Sequence, residues 1–399
     1  MLFRVLLASL ALAGCSSVPE KIYKAAPETD KYNASVTWAT AFAAIGVDKY
    51  QRLLPGVTKS SIIMADSEGY LQHLEKSTGK LLWKKKFESR FSGGPTVSGD
   101  LTLLGTQNAE VYALNTKDGK QKWKQQLSSE ILSTPQVQND VVIVQTNDGK
   151  IFGLNARSGK ITWVYERSVP VLSLRGNSSP VIVDDQVFAG FASGRLVALA
   201  LGDGKLQWES SIAVPKGRTE LERMTDIDGP IVYEKGVLYV SAFHGQVAAI
   251  DASSGRILWT REMSSQLGVT LGKNLIFVTS ADGRVWALNK DSGATLWMQD
   301  KLEELASTRP APIGDKLVVG DVTGQLYWLS KADGRLLGHL PKTEAAELSG
   351  VTEYVDQFEE SYFTPAQIET GITYRPEIID NQILLTYQNG VLALVSVSN

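Results

Sequence analysis

The chain has 399 residues, 43% hydrophobic and 21% charged, with a formal net charge of −3. That is ordinary globular composition with enough chain for a large core. It argues against a nucleic-acid binder, which shows a basic stripe. The one basic run, Lys84-Lys85-Lys86, follows a repeat tryptophan and alternates across a strand, a pattern that solvates a face.

The chain opens with MLFRVLLASLALAGCSS, a basic Arg4, an apolar run from Val5 to Leu12, then small residues. This is the layout of a secretory signal, and the run is too short for a permanent membrane span. Leu12-Ala13-Gly14-Cys15 resembles the bacterial lipobox, which implies that Cys15 is acylated and becomes the mature N-terminus. Ser16, where inner-membrane lipoproteins carry Asp, implies the outer membrane, with the protein on its periplasmic face. Each buried CH₂ of an acyl chain contributes about 0.8 kcal/mol, so several chains together anchor firmly. The expected organisation is a signal peptide over 1–14, a lipidated polar tether over 15–33, and one domain over 34–399. Cys15 is the sole cysteine, so no intrachain disulfide forms and core burial must carry stability.

From residue 73 onward one motif recurs: HLEKSTGKLLW (73–83), ALNTKDGKQKW (113–123), GLNARSGKITW (153–163), ALALGDGKLQW (198–208), AIDASSGRILW (249–259) and ALNKDSGATLW (287–297). A degenerate copy, WLSKADGRLLG, spans 328–338. The Trp-to-Trp steps are 40, 40, 45, 51 and 38 residues. Turns such as Asn147-Asp148-Gly149 and Ala281-Asp282-Gly283 precede each copy and close hairpins by allowing positive φ. Between turns, segments such as GRVWALN alternate apolar and polar residues, the period of a half-buried strand. Each unit therefore holds four short antiparallel strands, the content of one propeller blade. Stacking blades around a ring covers both faces of every sheet. The position ten residues before each Trp is usually Ala or Gly, small enough to receive a ring. In the 328–338 copy the sizes are exchanged, Trp328 for the small residue and Gly338 for Trp, which keeps the volume filled.

The ends set the blade count. YQNGVLALVSVS (387–398) supplies a turn and a third strand, and ASVTWATAF (34–42) supplies a fourth strand carrying Trp38. The predicted fold is all-β, an eight-bladed propeller of four-stranded antiparallel blades, with the N-terminal strand completing the last blade. Over about 34–399 the pattern resembles the PQQ-like propeller repeats, whose signature runs from a small residue to Trp across a Gly turn.

Enzymes with this repeat are quinoprotein dehydrogenases, which need a quinone, a Ca²⁺ held by acidic and Asn side chains, and a catalytic carboxylate. Alcohol-oxidising members add adjacent cysteines, absent here, and the acidic residues sit mainly in turns, where they serve the backbone. The three histidines, His73, His244 and His339, fall at distant repeat positions, so no metal site is expected, and His244 takes a turn position that Asp282 holds in its own copy. The favoured reading is a propeller with no cofactor and no catalysis.

If the ring is scaffold, function lies in its irregularities. The step from Trp163 to Trp208 holds VPVLSLRGNSS, that from Trp208 to Trp259 holds VPKGRTELERMTDIDG, and an acidic stretch with Tyr354, Phe358, Tyr362 and Phe363 fills 342–371. All three join the outer strand of one blade to the inner strand of the next, so they emerge on one face. The first two are neighbours, which places Leu172, Leu174 and Arg175 near Asp226 and Asp228. An apolar centre with charged pins is the composition of a binding hot spot. Alternatively, Arg175 pairs with Asp226 or Asp228 only to fasten the two loops together. The acidic stretch either adds a contact or drapes over the channel mouth.

LSLRG followed by a small polar run and Pro, TELERMTDID, eight PQQ-like blades and a lipobox together resemble the BamB family of outer-membrane protein assembly factors. The resemblance implies docking to the periplasmic POTRA region of BamA, carried by Leu172, Leu174, Arg175, Asp226 and Asp228, and help with inserting outer-membrane barrels. The 342–371 stretch is longer than the family pattern. Two other functions stay open: capture of nascent barrel strands on exposed blade edges by β-augmentation, and a quinoprotein dehydrogenase.

Overall fold

The computed structural model describes residues 33–41, 53–170, 172, 178–219, 221–340, 372, 375–386 and 391–398. The signal and tether expected over 1–32, Leu174, Arg175 and the 342–371 stretch lie outside the described residues. Those described form eight four-stranded sheets. Seven are continuous in sequence and occupy 56–86, 91–126, 136–166, 181–211, 232–262, 269–299 and 311–340. The eighth joins the two ends of the chain: Asn33–Ala41 pairs antiparallel with Val391–Ser398, which follows Glu377–Ile379 and Gln382–Thr386. We number these blades 1 to 8. The predicted eight-bladed all-β propeller, closed by its first strand, is the observed fold.

Periodicity explains the local structure. Inner strands are two or three residues long except Phe91–Ser98 of blade 2, and the second and third strands are nearly all buried, as in SIIMA (Ser61–Ala65) and KIFGLN (Lys150–Asn155). Outer strands face solvent except at Trp, as in QKWKQQ (Gln121–Gln126). Each outer strand carries one unpaired residue, just before its Trp or, in blade 7, before Gly338. Lys122, for example, falls between the pairs Leu114–Gln121 and Ala113–Trp123. Such a bulge raises the local twist and turns the indole toward the next blade.

That turn builds the seams. The indole of each outer-strand Trp lies on the glycine of the next blade's last turn and donates Nε1–H to a carbonyl there. The bonds run Trp38 to Lys76 (2.9 Å), Trp83 to Thr116 (3.3 Å), Trp123 to Ala156 (2.7 Å), Trp163 to Leu201 (3.0 Å), Trp208 to Ala252 (2.9 Å), Trp259 to Lys290 (2.9 Å) and Trp297 to Lys331 (3.0 Å). A net hydrogen bond contributes about 0.5–1.5 kcal/mol and a buried ring covers about 150–250 Å², so each seam is held by polar and apolar terms together. The small residue ten positions earlier is the cross-strand partner, as in Gly153 opposite Trp163 and Ala198 opposite Trp208.

The exchanged copy has a topological cause. Trp328 does stand opposite Gly338. Blade 8 takes its third and fourth strands from opposite ends of the chain, so no continuous turn joins them to receive an indole from blade 7. Trp328, 2% exposed, reaches blade 8 from the third strand instead and packs with Ile383, Leu385, Val391 and Ala393.

Candidate functional site

Strands alternate direction across each blade, so the crossings from one blade to the next share a face with the turns between second and third strands. The glycine turns that receive the indoles lie on the opposite face. The two long crossings singled out in sequence, 167–180 and 212–231, follow blades 3 and 4 and are adjacent on the crossing face.

The first crossing is fixed at both ends. Arg167, leaving blade 3, donates from Nη1 and Nη2 to Glu209 of blade 4 at 2.5 and 3.1 Å, and Arg195 adds a 3.1 Å contact to the same carboxylate. The bond to Glu209 holds the Arg167 guanidinium above its ordinary value. At the far end, the backbone N–H of Thr134 donates to Ser179 Oγ at 2.9 Å, and the buried Ser178 donates Oγ–H to the Gly229 carbonyl at 3.0 Å. That last bond ties the end of the first crossing to the end of the second.

The second crossing carries its own turn. Thr219 and Glu222 form a capping box: Glu222 Oε2 accepts from the backbone N–H of Arg218 (2.7 Å) and Thr219 (3.2 Å), while Thr219 Oγ1 accepts from Glu222 N–H (3.2 Å). The Arg218 N–H bond is the main reason the exposed Glu222 carboxyl sits below its usual range. The turn holds Leu221 out at 66% exposure, and Val214 stands nearby in sequence at 60%. Farther along, Asp226 and Phe243 exchange backbone hydrogen bonds, Phe243 N to Asp226 O at 2.8 Å and Asp226 N to Phe243 O at 3.4 Å. This bridge joins the crossing to the turn between the second and third strands of blade 5.

The residues named from sequence divide into two groups. Leu172 is 46% exposed, whereas Asp226 and Asp228 are buried at 1% and 7% and are engaged within the fold. Leu174 and Arg175 lie outside the described residues. The structure therefore brings the two crossings together through Ser178 and Gly229, and it puts both carboxylates beneath the surface. Sequence reading missed Ser178, the Arg167–Glu209 pair and the Phe243–His244 turn. Only His244 left a signal, in the turn position where another copy has Asp282. Among the described residues, no group of three or more His, Cys, Asp and Glu side chains gathers as a metal site.

Eight blades, seven of whose eight seams place an indole on a glycine, with long crossings grouped on one face, define a propeller of PQQ-like repeats. The chain belongs to the BamB family of outer-membrane protein assembly factors. The family model described as outer membrane protein assembly factor BamB matches residues 67–299 and 281–340. The outer membrane protein assembly factor BamB of Pseudomonas aeruginosa is 44% identical over 333 residues, covering 83% of this chain and 88% of that protein. The crystal structure of BamB from Moraxella catarrhalis superposes with a TM-score of 0.74 at 26% identity, covering 90% of this chain and 99% of that one. The quinohemoprotein alcohol dehydrogenase of Comamonas testosteroni shares the fold alone, with a TM-score of 0.65 at 12% identity, covering 91% of this chain and 76% of that one.

Proposed function

We propose that the protein is a non-enzymatic scaffold lipoprotein of the outer-membrane barrel assembly machinery, docking to the POTRA region of BamA through its 167–180 and 212–231 crossings. The observation that carries this reading is the Ser178–Gly229 bond between two successive long crossings that also expose Leu172 and Leu221. A rigid ring presenting apolar residues on loops fixed at their roots loses little freedom on binding, which favours affinity. In this reading the buried Asp226 and Asp228 shape the surface from beneath, while Leu172, Leu174 and Arg175 make the contact. Membership of the BamB family supports the machinery, and the 12% likeness to a dehydrogenase carries no catalytic implication.

The anchor belongs to the same proposal: Cys15 is acylated and holds the ring on the periplasmic face of the outer membrane. Replacing Cys15 with Ala should abolish incorporation of a labelled palmitate and release the protein from membranes, and retained label would end the anchoring claim. For docking, Arg175→Glu should abolish co-purification with BamA while the melting temperature stays within a few degrees, as surface changes usually allow. Unchanged co-purification would remove the site, and a collapse in stability would favour loop fastening.

A second reading has its own observation. Outer strands expose apolar side chains along free edges, including Leu81, Leu82, Leu206 and Leu296. Such edges could receive nascent barrel strands, although the bulge before each Trp shortens the regular stretch of edge. Peptide capture that survives removal of residues 169–178 would favour this reading.

A further inference from the structure

The turn between the second and third strands of blade 5 departs from its sisters. Blades 1, 3, 4, 6 and 7 place a glycine at positive φ just before the third strand, Gly69 (90°), Gly149 (82°), Gly194 (69°), Gly283 (83°) and Gly324 (96°), and blade 2 places Ala109 (62°) there. In blade 5 the left-handed residue is His244, at φ 46°, although Gly245 follows directly. Left-handed backbone crowds the Cβ of an L residue against the following carbonyl, so a histidine holds it only where neighbours fix it. Three contacts do so. His244 donates its backbone N–H to Ser264 Oγ at 3.0 Å. Its ring stacks on Phe243 with centroids 4.0 Å apart and planes 23° from parallel. Its Nδ1 lies 3.1 Å from the Met224 carbonyl oxygen.

A carbonyl only accepts, so Nδ1 carries the hydrogen, and Nε2 is the acceptor of the tautomer with that arrangement. The side chain is exposed. Met224 belongs to the second long crossing, and the neighbouring Phe243 exchanges backbone bonds with Asp226 of that crossing. The Phe243–His244 plate is thus joined to the crossing at two points and shares its face. Among the described residues, none of the seam hydrogen bonds involves it.

We propose that His244, on its Phe243 plate, is a further contact and specificity residue of the docking surface. Its Nε2 accepts a hydrogen bond from an N–H donor on the docking partner, an amide, lysine or arginine placed beside the apolar patch that Leu172 and Leu221 engage. This inference rests on the docking reading. The partner fitted by the whole surface is a folded protein module presenting a donor at the rim of an apolar patch, because an aromatic plate with one fixed acceptor gives orientation as well as area.

The test measures the affinity of the full chain for the BamA POTRA fragment, with His244→Gly, His244→Asn and Arg175→Glu in parallel. Glycine removes the ring and suits the left-handed backbone, and asparagine tolerates that backbone while removing the plate. Both should bind at least tenfold more weakly with an unchanged or higher melting temperature. If both bind within twofold of wild type while Arg175→Glu does not bind, the inference is overturned and the docking reading stands. If wild type and Arg175→Glu bind alike, or wild type does not bind, the docking reading fails and takes the inference with it. Weakened binding with a lowered melting temperature in both His244 variants would assign His244 a structural role and overturn the proposal.

Discussion

The indole of Trp38, in the first described strand, lies across Gly79 of blade 1 and donates its Nε1–H to the Lys76 carbonyl at 2.9 Å. This seam links blade 8 to blade 1, and Trp38 stands opposite Leu394 of the last strand. One residue therefore couples the C-terminal strand to the first full blade and closes the ring.

Gly79 is the sensitive side of that contact. It sits at φ 70°, and an added Cβ would lie 2.6 Å from Cδ2 of Trp38. Gly79→Ala is expected to destabilise by about 1–3 kcal/mol through overpacking and backbone strain, and Trp38→Ala by about 3–5 kcal/mol through the lost ring. Gly99 is the control: its φ is 56°, yet a Cβ added there would meet nothing within 4 Å, so Gly99→Asn should be nearly silent. Urea unfolding of the three variants decides it, and equal midpoints for Gly79→Ala and Gly99→Asn would discredit the closure argument.

The blade 1 to blade 2 seam should be sensitive to acid. His73 takes the place that Ala or Gly holds in blades 2 to 6, opposite Trp83. Its ring meets Trp83 edge-on at 5.4 Å, and neither buried ring nitrogen has a hydrogen-bond partner among the described residues. Trp83 accordingly reaches Gly119 with the far edge of its ring, Cη2 and Cζ3, and its 3.3 Å bond is the longest of the seven. Burial pushes the His73 imidazole below its ordinary value, so the folded ring takes up a proton less readily than the unfolded one. The unfolded chain takes up a proton near pH 6.5, so the contribution is complete above that pH and declines as pH falls below it, by at most about 1.4 kcal/mol per unit. Stability of wild type relative to His73→Ala should thus drop between pH 7.5 and 5. A difference that does not change with pH would refute this.

Blade 7 offers a reverse test. Restoring the repeat residue with Gly338→Trp should not stabilise the protein, because blade 8 has no continuous last turn to receive the indole and Trp328 already fills the space opposite. We expect a loss of about 1–3 kcal/mol by overpacking. A raised melting temperature would contradict the account of the missing Trp.

On the docking face, exposure separates two kinds of variant. Leu172→Asp alters a side chain that is 46% exposed, so it should cost under about 0.5 kcal/mol in stability yet prevent capture of BamA. Asp226→Lys puts an opposite charge where the residue is 1% exposed, so it should lower the melting temperature as well as capture. Thermal scans alongside pull-downs distinguish them, and the same thermal response in both would mean that Asp226 is not a supporting residue.

The amino-acid sequence by itself determined the blade unit, the number of blades and the closing role of Trp38. These follow from local periodicity, turn chemistry and the repeat interval, all written in consecutive residues. It also marked the two long crossings, because an interruption in a repeat is visible without a structure. Tertiary structure alone decided which parts of those crossings face outward. Asp226 and Asp228 look like loop carboxylates in sequence, yet they are buried in a stretch whose backbone bonds to Phe191 of blade 4 and Phe243 of blade 5, contacts that only the folded ring makes. The Ser178–Gly229 bond spans 51 residues and His244 meets Met224 across 20, distances over which no local pattern operates. The absent Trp at 338 had the same character: its cause is the meeting of two chain ends, a property of the closed ring rather than of any segment.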